Sequence, residues 1–424
     1  MKRKFSILTV GLVIAGLALS LAGTALVSQA APETPKVRKI VVFQEETFIN
    51  ESARNGLLKK FGAETLKELP LINGTAVLLP PKAQEALAGQ AGVLRIDNDD
   101  IVFALAKPTC NYNGVCEPEL GENPSCGDCK NGEEEPTPPP DEPSQEMAWG
   151  VDRIDADLVW STNTGQGVKV AIIDSGIDLD HSDLAVYGGY NAVNSRKSWD
   201  DDYGHGTHVA GIVAALNNDI GVVGVAPKAH LYAVKVLNQR GVGFTSDVIE
   251  GLNWSIQNGM QVANMSIGSS GCSQSYHDAV IAAYNAGITI AAAAGNNGET
   301  DGSIVCPALW PETIAVSATD INDELAYFSS YGEEIDLAAP GQNINSTWND
   351  GGYHVGSGTS MATPHVAGTV ALILKTNPGS YDLDGDGWDP EEIRQKLYDT
   401  AEDIELGAIY QGAGLVDAQA AVIE

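Results

Sequence analysis

The chain has 424 residues, 43% of them hydrophobic, and carries 24 basic against 56 acidic side chains for a formal net charge of -32. That length allows two or three domains and a sizeable core. A surface this acidic excludes nucleic acid as a partner and is compatible with calcium binding, with solubility in high salt or with a well-hydrated exported protein.

Lys2, Arg3 and Lys4 precede an apolar run from Phe5 to Val27, and small residues follow at Ser28 and Ala30. This is the pattern of a secretion signal cleaved after Ala30, which places the mature protein outside the cell or in its envelope. The run is also about the 20 residues needed to span a bilayer, so a retained anchor is the alternative. No later segment is long and apolar enough to cross a membrane. No stable membrane association is expected once residues 1–30 are removed.

Residues 31–106 predict a small α+β unit. Strands are expected at 38–43 and 74–80, helices at 51–62 and from Pro81, and one or two strands between Val93 and Ala106. Strand–helix–strand twice over suggests a ferredoxin-like sandwich. Residues 107–144 differ in character. Cys110, Cys116, Cys126 and Cys129 cluster there, ahead of an acidic, proline-rich linker. Six cysteines in all, behind an export signal, favour disulfides. The spacing Cys126-Gly-Asp-Cys129 also suits a zinc site, which stays open as the alternative.

Residues 145–424 alternate apolar runs (168–174, 231–236, 262–266, 288–293, 313–317) with helical patterns (205–216, 246–258, 275–286, 360–375). This predicts an α/β domain of three layers, a mostly parallel sheet covered on both faces. Sites in such sheets gather at the carboxyl ends of strands. Asp174 ends one apolar run, and Asn296 follows another. His205 and Ser360 each open a helix. Taken singly, each has a bland reading as a cap or turn residue, and His205 with His208 has metal-ligand spacing. Together they supply an orienting carboxylate, a base, an oxyanion donor and a nucleophile.

Three segments, Ile172-Ile-Asp-Ser-Gly-Ile177, His205-Gly-Thr-His-Val-Ala-Gly211 and Gly358-Thr-Ser-Met-Ala-Thr-Pro-His-Val-Ala-Gly368, strongly resemble the subtilisin-like serine proteases, from about Gln145 to Gln419. The order Asp, His, Ser is the one found in subtilisin. The resemblance implies a serine endopeptidase that forms an acyl-enzyme. Asp174, His205 and Ser360 would be its triad and Asn296 its oxyanion amide. Ser266, Ile267 and Gly268 on one side, and Gly241, Val242 and Gly243 on the other, would pair with the backbone of protein or peptide substrates. Broad, degradative specificity is expected; a dedicated processing protease and a catalytically silent binding protein are the alternatives.

Val305 stands where the family often carries glycine, which would shorten the first specificity pocket. Cys272 and Cys306 would lie on its two walls, where a bridge between them would rigidify it. The resemblance also implies a calcium site from Gln145, Asp183, Asn218 and the carbonyls of Leu216, Ile220 and Val222, an all-oxygen cage of the kind Ca2+ prefers. A second, EF-hand-like loop is expected at Asp382, Asp384 and Asp386, although Ile393 stands where a glutamate would close it. The 31–106 unit resembles the family's propeptide. It would act as an intramolecular inhibitor, with its tail in the active site and self-cleavage after about Leu105. A monomer is expected.

Overall fold

The computed structural model describes residues 35–44, 51–105, 143–298, 300–382, 384–385 and 387–423. The signal segment, the four-cysteine cluster with most of its linker, and Asp386 lie outside them.

Lys36–Glu424 form one unit. Its N-terminal part runs β1 (Val37–Phe43), α1 (Glu51–Lys60), β2 (Glu64–Leu69), β3 (Gly74–Leu79), α2 (Gln84–Ala88) and β4 (Val93–Asn98). The four strands form an antiparallel sheet in the order β2-β3-β1-β4, the ferredoxin-like arrangement. Strand periodicity divides β1 between two cores. Val41 and Phe43 close on Leu58, Val77 and Leu87 within the small unit. Ile40 and Val42 face the larger domain and share a cluster with Val248, Ile249, Tyr276 and Ala279. The sequence does not announce β2, because Glu64-Thr-Leu-Lys-Glu-Leu69 is largely polar. It forms as an edge strand because β3 offers it a partner.

After β5 (Ile101–Ala104) the larger domain contains α3 (Trp149–Arg153), β6 (Lys169–Asp174), β7 (Val186–Asn191), α4 (His205–Ala214), β8 (His230–Lys235), β9 (Val242–Phe244), α5 (Thr245–Gln257), β10 (Val262–Met265), β11 (Ile267–Ser269), α6 (Gln274–Asn285) and β12 (Thr289–Ala293). It continues with β13 (Ile314–Thr319), β14 (Leu337–Pro340), β15 (Ile344–Thr347), β16 (Tyr353–Gly356), α7 (Thr359–Ile373), α8 (Pro390–Thr400) and α9 (Ala418–Ile423). Seven strands form a parallel sheet, β14-β13-β12-β10-β6-β8-β7. In β6, Val170 and Ile172 face α4 and α7, while Ala171 and Ile173 face α5 and α6. A strand buried on both faces must be apolar at every position, hence the continuous run.

The two edge strands escape sequence reading for local reasons. β7 is Val-Tyr-Gly-Gly-Tyr-Asn, and β14 is four residues ending in proline. Gly189 in β7 is required by close approach, since a Cβ there would lie 2.3 Å from the Ala233 oxygen. Among the described residues no helix is long and apolar enough to cross a membrane.

Candidate active site

The sheet's carboxyl edge brings four of the expected residues together. Asp174 is the last residue of β6, and its carboxylate accepts from Nδ1 of His205 at 2.8 and 2.9 Å. Both side chains are buried. His205 opens α4 because Asp201 organises the preceding turn. One Asp201 oxygen accepts from the Tyr203 and Gly204 amides, and the other accepts from the Thr207 amide and hydroxyl. The approach of α4 to β6 admits only glycine at position 206, where a Cβ would meet the Gly176 oxygen at 2.1 Å. Sequence reasoning passed over Asp201. No capping pattern marks it, since the N-cap itself is Gly204 and Asp201 reaches the Thr207 amide from three residues further back.

Ser360 lies in the first turn of α7. Its hydroxyl donates to the Ser266 carbonyl at 2.9 Å, and Nε2 of His205 has no hydrogen-bond partner. The hydroxyl thus bonds Ser266 and leaves the imidazole nitrogen open, as catalytic hydrogen bonds often are before substrate is engaged. Asn296 follows β12. Its side-chain oxygen accepts from the amide and hydroxyl of Thr359 at 3.0 and 3.1 Å. That fixes the amide the other way round for donation, and Nδ2 donates to the Leu105 carbonyl at 3.0 Å.

Leu105 ends a strand that lies in the cleft. β5 pairs antiparallel with β9 and β11 at once, in the order β11-β5-β9. Ala104 stands opposite Ile267, Phe103 opposite both Gly268 and Val242, and Val102 opposite Gly243. The Ala104 amide donates to Gly241 at 3.1 Å and the Leu105 amide to Ser266 at 3.3 Å. The Leu105 side chain is buried. It lies against Gly268, where an added Cβ would be 3.1 Å from both Leu105 and Val305. Cys272 and Cys306, flanking this pocket, form a disulfide with Cα atoms 5.7 Å apart.

A model of the subtilase family matches residues 165–417. Subtilisin Savinase from Lederbergia lenta is 46% identical over 279 residues, covering 66% of this chain and 99% of that protein. Subtilisin amylosacchariticus from Bacillus subtilis subsp. amylosacchariticus is 37% identical over 401 residues, 93% of each chain, so that similarity extends through the N-terminal unit. An alkaline protease of Shouchella clausii matches at 46% over 66% of this chain and 70% of its own. The chain belongs to the subtilase family. It is a serine-type endopeptidase.

The subtilase holds its N-terminal unit by more than β5. Asp99 accepts from the amide and hydroxyl of Ser246 in the first turn of α5, and Asp97 does the same with Ser275 in α6. Carboxylates there meet unpaired helix amides and the positive end of the helix dipole. Arg38 pairs with Asp99, Arg95 bridges Asp97 to Asp278, and Lys67 reaches Asp247 and Glu250.

The residues expected to hold calcium also converge. Nε2 of Gln145 lies 2.7 Å from the Leu216 oxygen, 3.1 Å from Val222, 3.4 Å from Ile220 and 3.5 Å from Oδ1 of Asn218. Four oxygens aimed at one point are a cation's surroundings, and here an amide nitrogen meets them. The nitrogen and oxygen of such an amide exchange by a flip. Asp183 is buried beside them and accepts from Asn218 and from the Val222 amide, both at 3.0 Å. Burial pushes its carboxyl up to about 6. The donor set therefore fits Ca2+, with Gln145 turned to offer its oxygen.

The second acidic loop is less complete. Asp382, Asp384 and Glu392 bring carboxylate oxygens within 4.8 Å of one another, while Asp386 is outside the described residues. Glu392 also caps α8, accepting from the Asp389 amide at 3.1 Å. Ile393 is a core residue. The His205–His208 pair turns ring nitrogens to different partners and does not converge on one point: Nδ1 of His205 meets Asp174, while Nε2 of His208 donates to the carbonyls of Ile344 and His354.

Proposed function

We propose that this subtilase is a secreted, calcium-stabilised endopeptidase made as a self-processing zymogen. The observation that carries the proposal is the Leu105 carbonyl, held by Asn296 at the end of a strand paired on both edges. This is the arrangement of a substrate's acyl side. The bond that follows Leu105 is then the processing site, and residues 31–105 are its inhibitor.

In the reaction, Ser360 Oγ attacks the peptide carbonyl carbon and its proton passes to His205 Nε2. Asp174 keeps Nδ1 protonated and balances the imidazolium that forms. The oxyanion is held by Asn296 Nδ2 and the Ser360 backbone amide. His205 then gives the proton to the leaving amine, and an acyl-enzyme remains. Water attacks the ester with His205 again as base, releasing the acid and restoring Ser360. Recognition through backbone pairing tolerates many sequences, which supports broad specificity. The buried Leu105 against Val305 supports a preference for medium aliphatic side chains next to the cleaved bond.

Two measurements on the secreted protein test the reading. A fluorophosphonate probe is expected to label Ser360, and N-terminal sequencing is expected to begin at or after residue 106. An intact Leu105–Ala106 bond in the active, labelled enzyme would overturn self-processing.

Gln145, Asp183, Asn218 and the carbonyls of Leu216, Ile220 and Val222 would hold calcium, whose charge would offset the buried Asp183 carboxylate and tie residues 143–146 to the 216–222 loop. A pH dependence follows. An acid whose pKa is raised by folding supports the fold fully only below its ordinary value of about 4, and that support is lost as pH rises through the folded value. For Asp183 that value is about 6. Added calcium is therefore expected to raise Tm most above pH 6 and least near pH 4. A calcium increment that stays constant over this range in calorimetry would remove Asp183 from the site.

A further inference from the structure

Lys235 is a buried cation close to the catalytic residues whose role the mechanism above does not assign. It ends β8 and is the direct neighbour of Asp174 in the parallel ladder. Its side chain is 5% exposed. Burying an ammonium is costly unless it is well partnered, and an apolar residue would fill the end of β8 without that cost. Its partners are specific. Nζ donates to the carbonyl of Ser175 and to the carboxylate of Asp202. Ser175 directly follows Asp174; its amide donates to the Asp174 carboxylate at 2.7 Å, and its hydroxyl accepts from Gly206, beside His205, at 2.9 Å. Asp202 lies in the turn that leads into His205, next to Asp201, which organises that turn. One ammonium thus joins the backbone leaving Asp174 to the loop entering His205.

We propose that Lys235 is a positioning residue of the active site. It holds the two halves of the Asp174–His205 pair in register and sets a buried positive charge beside that pair. The inference rests on the triad reading above. Among the described residues, the charged and titratable groups on the elements about His205 include Asp174 from β6, Asp201, Asp202 and Tyr203 from the preceding loop, His208 from α4, His354 from β16 and Lys235 from β8. His208 is kept neutral by its burial. Lys235 is then the cation set against several carboxylates, so its removal has a defined sign.

The test uses the full chain carrying Lys235→Met, Lys235→Arg, Asp202→Asn or Ser360→Ala. Active sites are titrated with a fluorophosphonate, and kcat and KM are measured against pH on a leucyl peptide. Lys235→Met is expected to lower kcat about tenfold through misplacement of the dyad, with KM little changed. Loss of the cation favours the imidazolium, so the acid limb of the profile moves to higher pH by about 0.5. Asp202→Asn removes an anion from the same network, so its limb moves the other way and by less, since Asp202 is half exposed. Lys235→Arg keeps the limb in place. An unmoved limb in Lys235→Met, or an Asp202→Asn limb that moves upward, would overturn the proposal. If Lys235→Met is not secreted, the Asp202→Asn direction and the Lys235→Arg profile decide. Turnover surviving in Ser360→Ala would instead refute the triad reading itself.

Discussion

Ser360→Ala, expressed alone, is expected to accumulate as a precursor that has lost its signal but keeps residues 31–105. Its peptide turnover should fall about 10⁶-fold, the loss known for removal of subtilisin's own nucleophile. The reason is local. On the proposed mechanism Ser360 is the attacking group: it opens α7 beside Asn296's partner Thr359, and His205 Nε2 is left without a hydrogen-bond partner to receive its proton. The precursor should nevertheless be folded, because β5 and the contacts of Asp97, Asp99 and Lys67 hold the N-terminal unit without any chemistry. Gel mass and intact mass spectrometry check the outcome. Added wild-type enzyme should then cut the variant in trans. A Ser360→Ala chain that matures unaided would show that another protease does the processing.

Asn296→Ala is expected to lower kcat by about 10²–10³ with little change in KM, again the magnitude known for the oxyanion-hole asparagine of subtilisin. A donor that strengthens its bond as the carbonyl becomes an oxyanion acts on the transition state more than on binding. Asn296 suits this because its own oxygen is committed to Thr359, leaving Nδ2 aimed at the Leu105 carbonyl. Asn296→Asp should be at least as damaging, since a carboxylate there cannot donate and adds negative charge beside the oxyanion. Steady-state kinetics on one peptide separate the two terms. A variant that loses KM while keeping kcat would make Asn296 a substrate-binding residue only.

Much of this site is legible in the chain because its chemistry is written in short segments. Asp174 stands at the end of an apolar run, and His205 and Ser360 each open a helix; each position follows from local periodicity. Lys235 and Asp201 are different. Each looks ordinary in its own segment and acquires meaning through partners far along the chain or across a turn. The same holds for the disulfide. Cys272 and Cys306 are 34 residues apart in sequence, and their meeting depends on how the loop after β11 packs against the one after β12.

The sequence by itself determined the parallel α/β domain, the ferredoxin-like unit before it, and the residue types of a serine hydrolase. The physical basis is periodicity: β6 is apolar on both faces, and β1 sends alternate side chains to two cores. Only the tertiary structure decided the edge strands β2, β7 and β14, whose residues carry no strand pattern and which form because a neighbour offers free backbone groups. The resemblance already implied that the tail of the N-terminal unit enters the active site, and the tertiary structure decided its register there. Ile101–Ala104 reads as one more short strand. Its place between β9 and β11, with Leu105 against Asn296, comes from long-range backbone hydrogen bonds that no local pattern encodes.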